Sequence, residues 1–419
     1  MNRRNINLNG VSYRWPSRPV VVVCIDGGDP AYIEHGLRDG IIPNIARFMR
    51  EGYSAIADGT VPSFTCPNNM SLISGAPPSV HGISGNFYLD ADTRQAIVMT
   101  GPELLRSRTI LAEFADAGAK VVSISAKDKL CKQLGKDLDL TRGNISFSSE
   151  KADQCSMEEN GIENVLELVG MPLPDMYSMD LSLFVLEAGR KLLARDRPDL
   201  LFLSLTDYIQ HQHAPGTPVS NAFYALLDEK FGQLAELGAV VALTADHGMN
   251  DKATPEGKPN VIYLQDILDI KFGKGDTRVI CPITDSFVRH HGALGGFVRV
   301  WCLGGQARPS DVIGLLENMP GIAAALDKAE VCRRFDLPPD REGDVAVLAE
   351  ADVVIGASVG DHDLSALTAI RLRSHGGASE ARVPFILSQP LNAAYRRRAD
   401  AITLKSHQIF DYAINGVEV

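Results

Sequence analysis

The chain has 419 residues, 45% hydrophobic and 22% charged, a globular composition with room for a sizeable core. A net charge of -11 and a pI near 5.4 argue against nucleic acid as the main partner, because phosphate-backbone binding needs a basic surface. A small anionic ligand stays open, since metals or local lysines reverse the sign inside a cleft.

Seven cysteines (Cys24, Cys66, Cys131, Cys155, Cys281, Cys302, Cys332) are widely spaced, odd in number and without a CxxC. That pattern argues against a disulfide framework or thiolate zinc site and fits a reducing cytosol. The polar start "MNRRNINLNGVSYRWPSRP" lacks the apolar core of a signal peptide. No apolar run approaches the ~18 residues of a membrane span. A cytoplasmic protein with no membrane partner is expected, and a homodimer is left open.

"PVVVVCID" (19–26) is a β-branched run typical of a strand buried on both faces. "GLRDGIIPNIARFMREG" reads as one helix with a glycine stop, and "NNMSLISG" as a helix end. "SRTILAEFADAGAKVVSISA" reads as helix, turn, strand. "LSLFVLEAGRKLLARDRP" is a helix before the strand "DLLFLSLTD"; "NAFYALLDEKFGQLAELG" is a helix before "AVVALTAD". Strands alternating with helices predict an α/β fold, a mostly parallel sheet sandwiched by helices. After about residue 255 the pattern changes. "FVRVWCLG", "SDVIGLLENMPGIAAAL" and "GDVAVLAEADVVIG" read as strand, helix, strand. Residues 256–365 are therefore expected to form an inserted α+β cap on a core of 1–255 and 366–419. The chain returns to the core near "SHGGASEARVPFILSQ".

Acids and histidines follow the strands. Asp26 ends the first; Asp207 ends "LFLSLTD", with His211 four residues on; Asp246 and His247 end "VALTADH"; His375 opens "SHGG". Active residues in such sheets gather at strand carboxyl ends. A single strand-end Asp is usually a cap or turn residue, and a single His is usually solvated or satisfied; His35, His213 and His407 are read so. His290 and His291 could line the inner face of the cap. Six ligand-type residues in one shared position instead predict a two-metal site, with donors that suit zinc.

In "GTVPSFTCPNNMSLISGAPPSVHGISGN" (59–86), Thr65 stands between an extended "VPSF" and a helix-opening "CPNN". A hydroxyl at a helix N-terminus suits an oxygen attacking phosphorus; alone, the bland reading is an N-cap threonine. "CIDGGDP", "PSFTCPNNMSLISGAPPSVHGI", "TDYIQHQH", "TADHGM" and "SHGG" together resemble the alkaline phosphatase superfamily, within it the phosphodiesterase and phosphonoacetate hydrolase branch. The resemblance implies Thr65 as nucleophile and Asn86 as oxyanion donor. It implies one zinc on Asp207, His211 and His375, and another on Asp26, Asp246, His247 and the Thr65 oxygen.

"SISAKDKL" (123–130) follows a predicted strand, so Lys127 and Lys129 can reach one anion if the backbone stays extended. Alone they would be a solvated turn. Phosphonoacetate hydrolases resemble this chain in having lysines there to hold the substrate carboxylate. The expected reaction is zinc-dependent cleavage of phosphonoacetate, a small anionic phosphonate, to acetate and phosphate through a phosphothreonine. Alternatives are a phosphodiesterase on the same scaffold, which needs an aromatic clamp for a base; a non-catalytic metal-binding protein; and a phosphomutase, which usually uses manganese and serine. Aromatics are 6% of the chain, and only Phe64, Phe87 and Tyr88 lie near Thr65 or Asn86.

Overall fold

The computed structural model describes residues 5–90, 92–283, 292–367 and 371–418. His290 and His291 lie outside the described residues. In chain order the core elements are β1 (Val20–Cys24), α1 (Pro30–Arg38), α2 (Pro43–Glu51), β2 (Tyr53–Asp58), α3 (Thr65–Ser74), α4 (Ile110–Asp116), β3 (Val121–Ser125), α5 (Asp128–Leu134), β4 (Ile145–Ser148), α6 (Asp180–Asp196), β5 (Leu200–Ser204), α7 (Tyr208–Gln212), α8 (Pro218–Glu236) and β6 (Val240–Thr244). They are followed by α9 (Leu264–Phe272), β7 (Thr277–Ile280), β8 (Phe297–Cys302), α10 (Pro309–Leu316), β9 (Ile322–Asp327), α11 (Lys328–Phe335), β10 (Val345–Ala349) and β11 (Arg382–Leu387).

Seven strands form one sheet in the order β2-β11-β6-β1-β5-β3-β4. Pairing is parallel from β6 across to β4, and β11 alone runs against the rest. The fold is thus a mixed α/β sheet flanked by helices. Side chains alternate along each strand: Val20, Val22 and Cys24 pack on one face, with Leu72, Phe114 and Leu130; Val21, Val23 and Ile25 pack on the other, with Phe48, Phe184 and Phe231. Both faces are covered, so β1 reads as an unbroken apolar run rather than an alternating one.

The second sheet, β7-β8-β10-β9, is antiparallel. It closes an apolar cluster of its own around Leu268, Val298, Val312 and Val347. Two expectations need correction. The segment 36–52 is not one helix: α1 stops at Arg38 and α2 restarts at Pro43, because a proline fits the first turn but not an interior one. The segment 310–326 is a helix only to Leu316; it then becomes β9, with Pro320 and left-handed Gly321 between them.

Candidate active site

The strand ends deliver their acids to one place. Asp207, His211 and His375 form one group and Asp26, Asp246 and His247 another; in each, one donor atom per residue lies within 4.8 Å of the others, and all six residues are buried. His211 and Asp207 meet as Nε2···Oδ2 at 2.9 Å because α7 begins directly after Asp207. The groups adjoin: the rings of His247 and His375 stack with centroids 3.5 Å apart and planes within 6°.

Each imidazole has its Nδ1 against a backbone carbonyl: His211 at Arg373 O (2.7 Å), His247 at Gly248 O (2.9 Å) and His375 at Ser63 O (2.8 Å). A carbonyl only accepts, so Nδ1 carries a proton and Nε2 faces the site, the orientation of metal-ligating histidines. The acids make the same demand. Burial, then the adjacent Asp26, pushes the Asp246 carboxyl up to about 8. Burial would lower the His247 imidazolium, but Asp246 and Asp26 outweigh it and hold it near 9. Burial, His247 and His211 push His375 down. Three buried carboxylates therefore call for cations, and the donor set of three Asp and three His fits two divalent ions such as zinc.

Thr65 is the first residue of α3, not its N-cap; Phe64 takes that position and no side chain caps the helix. Its Oγ1 lies 3.4 Å from His247 Nε2, beside the second group. Asn69, one turn on, donates to the Thr65 carbonyl (3.0 Å) and to Asp246 Oδ2 (3.2 Å), and accepts from Ser204 Oγ (3.1 Å). Sequence reasoning missed it; its i+4 spacing from Thr65 is the one signal that pointed there. Ser63 was also missed. Its hydroxyl donates to Gly377 O (2.7 Å) and accepts from Gly376 N (3.0 Å), fastening the Thr65 turn to the His375 loop. Gly376 has φ +115, and a Cβ there would fall 2.3 Å from the Phe64 ring.

Lys127 is buried with Nζ 2.9 Å from Asp26 Oδ2 and 3.1 Å from Asp207 Oδ1, one carboxylate from each group. Lys127, His211 and His375 outweigh the effect of burial on Asp207 and hold its carboxyl well below the usual range. The extended backbone expected through Lys129 does not form. α5 starts at Asp128 with Lys127 as its N-cap, so residues two apart turn to different sides, and Lys129 is exposed. Asn86 is buried, with its N–H on Pro282 O (2.9 Å) and its carbonyl accepting from Met99 N (2.8 Å).

The model of the type I phosphodiesterase / nucleotide pyrophosphatase family matches residues 20–367. The chain belongs to that family, within the alkaline phosphatase superfamily, and is a hydrolase. It superposes on phosphonoacetate hydrolase from Sinorhizobium meliloti 1021, solved with phosphonoformate (TM-score 0.93) and with phosphonoacetate (0.92), at 42% identity over 99% of both chains. Murine ectonucleotide pyrophosphatase / phosphodiesterase 5 shares the fold at TM-score 0.62 and 17% identity, over 96% of both chains. An uncharacterized pyrophosphatase/phosphodiesterase of Schizosaccharomyces pombe is 20% identical over 261 residues, 60% of this chain. The match spans about half (48%) of that curated relative. Among the described residues no helix is long and apolar enough to cross a membrane.

Proposed function

We propose that this chain hydrolyses phosphonoacetate to acetate and phosphate, with Thr65 as nucleophile. The supporting observation is the 42% identity over 99% of both chains to a phosphonoacetate hydrolase solved with phosphonoacetate. Asp207, His211 and His375 would hold one zinc, and Asp26, Asp246, His247 and Thr65 Oγ1 the other. Bound there, two zinc ions would lower the pKa of a hydroxyl or water and offset charge on the phosphoryl oxygens.

The chain's own residues account for the remainder. Asn69 and the first turn of α3 hold Thr65 beside His247. Thr65 Oγ1 releases its proton to solvent and forms a bond to phosphorus as the phosphorus–carbon bond breaks, and the electron pair passes to carbon. An alkyl carbanion is a poor leaving group, but here it spreads into the neighbouring carboxylate as an ene-diolate. Positive charge at that carboxylate stabilises charge as it develops, and Lys127 supplies it. Once Asp26 and Asp207 serve as metal ligands, the Lys127 ammonium is available to a substrate anion, with Lys129 approaching from outside. Asn86 is assigned to the developing oxyanion. The carbanion takes a proton from water. A second water then attacks phosphothreonine, the phosphorus–Oγ1 bond breaks, and the threonine hydroxyl is restored. Residues 256–365 act as a cap on this centre.

The family description keeps a phosphodiesterase in view. The nearby aromatics do not favour it: Phe64 packs edge-on against His375, Phe87 packs with Trp301, and the Arg341 guanidinium lies over Tyr88. All three are engaged within the fold rather than paired as a base clamp. Phosphate release by zinc-loaded protein from phosphonoacetate, set beside hydrolysis of an aryl phosphodiester, is the test. Turnover of the diester alone would overturn the assignment.

A further inference from the structure

A cleft of about 310 Å³ lies where the end of β2, the turn before α3, the end of α11 and the start of β11 meet. No residue assigned above to catalysis lines it. Among its lining side chains are three cations, Arg334, Arg382 and Lys405, against two carboxylates, Asp58 and Asp336. Asp58 is already paired with Lys405 at 3.2 Å. Neither Arg334 nor Arg382 has an acidic partner within 4 Å among the described residues; Arg334 rests over the Phe335 ring. An excess of positive charge is thus concentrated on a molecule whose net charge is -11.

A second observation comes from counting protons. His81 Nδ1 accepts the Ile83 N–H (3.2 Å), so the ring proton sits on Nε2 and goes to Ser71 Oγ (2.8 Å). Ser71 is fully buried, and its other side-chain partner is Thr60 Oγ1 at 3.2 Å. The Ser71 hydroxyl therefore donates to Thr60. The proton of Thr60 is then left without an acceptor among the described residues. Thr60 is 9% exposed and is one of the residues lining the cleft. Burial, then Lys405, pushes His407 on the same wall down to about 4; at neutral pH it adds a polar edge and no charge.

We propose that this cleft is a second oxyanion site, distinct from the Thr65 centre, which takes a phosphate or phosphonate headgroup between Arg334, Arg382 and the Thr60 hydroxyl. Its occupant would bridge α11 to β11. Two sources share that chemistry, inorganic phosphate and a phosphonate, and competition distinguishes them.

The test is equilibrium dialysis of labelled inorganic phosphate against the metal-loaded protein and its Arg334→Met/Arg382→Met variant. Wild type should bind one more phosphate per chain than the variant, with a Kd of about 1 mM or tighter, while the two keep the same Tm without phosphate. Equal numbers of sites would overturn the proposal whatever the Thr65 centre does, and a loss of that one equivalent would support it even if phosphonoacetate were not a substrate. Thr60→Ser should keep the site and Thr60→Val should weaken it about tenfold, as loss of one hydrogen bond to a charged group implies. In the Thr65→Ala background, which should not release phosphate from the competitor, displacement by phosphonoacetate but not acetate would confirm the headgroup; equal displacement by acetate would overturn it in favour of a carboxylate.

Discussion

At the scale of single residues, chemistry depends on what each side chain can still do once the fold has used it. Thr65 keeps its hydroxyl free of any capping role and 3.4 Å from His247 Nε2. Thr65→Ala should lower phosphonoacetate turnover by ~10³-fold or more, as removal of a nucleophile does, with zinc content near wild type because all six clustered Asp and His side chains remain. Thr65→Ser should recover part of the rate. Wild-type turnover by the alanine variant would make water the attacking group. The two lysines no longer look equivalent. Lys127 is buried between Asp26 and Asp207, so Lys127→Met should cost a charge-assisted contact of ~1.5–3 kcal/mol, a roughly ten- to hundred-fold fall in kcat/KM. Part of that loss should be in kcat, because the carboxylate gains charge in the transition state. Exposed Lys129 should matter by about 1 kcal/mol or less. An aryl phosphodiester, which has no carboxylate, should be affected less by either change; equal losses on both substrates would remove the carboxylate role.

At the scale of elements, the clustered Asp26, Asp207, Asp246 and His247 were legible because each ends or directly follows an apolar strand run, and a parallel sheet brings strand ends to one edge; His375 follows only the two-residue strand Arg373–Ser374. The clamps between those ends were not legible, since they join residues far apart in sequence. Lys252 and Glu380 form a fully buried ion pair at 2.9 Å. Glu380 also accepts from Asn250 Nδ2 (2.6 Å), Ser379 Oγ (2.7 Å) and Gly377 N (2.9 Å), and its carbonyl from Gly248 N (2.7 Å). One carboxylate thereby fixes the loop of His247 to the loop of His375. Glu380→Gln leaves Lys252 buried without its counter-charge, a change that typically costs ~3–5 kcal/mol. The expected result is a lower Tm together with weaker zinc retention against a chelator; a lower Tm with unchanged retention would confine the clamp to stability. On the face of the sheet that α6 and α8 cover, Glu187 joins α6 to α8 through Lys230 (2.8 Å) and also meets Arg190 (2.6 Å). Burial raises its carboxyl, but Arg190 and Lys230 prevail and depress it to about 2. A depressed acid stabilises the fold above its unfolded pKa and loses that contribution as pH falls through its folded one. Glu187→Gln should therefore lower stability at pH 7, by about 1 kcal/mol, and the gap to wild type should narrow as pH falls from ~4.5 towards ~2. A gap that stays constant would mean the pair's contribution is packing.

At the scale of the whole molecule, the sheet's carboxyl edge carries a charge that the fold does not neutralise by itself. Asp26, Asp207 and Asp246 are buried, and Lys127 is the one ammonium that reaches them among the described residues. The outer layers follow from ordinary apolar patterning, but this centre is balanced only with added cations. The sequence could suggest such ligands by residue type; the crowding of Asp246 against Asp26, which adds to burial in raising the Asp246 carboxyl, became visible only when two strand ends 220 residues apart were placed side by side. Chelation should accordingly destabilise the protein. A ligand held at about 100 times its Kd contributes ~2.7 kcal/mol, so a Tm loss of several degrees is expected in differential scanning calorimetry, restored by zinc. Asp246→Asn makes the argument specific. It removes a ligand, so the metal-loaded variant should be less stable than wild type and should bind less zinc. In chelated protein it removes one of two neighbouring buried carboxylates, while Oδ1 can still accept from Gly27 N and His247 N, now 3.2 and 3.0 Å away. The chelated variant should then stand closer to wild type than the loaded one, and its own Tm should fall less on chelation than that of wild type. If the variant and wild type lost the same Tm on chelation, the stabilising ion would have to be held somewhere other than Asp246.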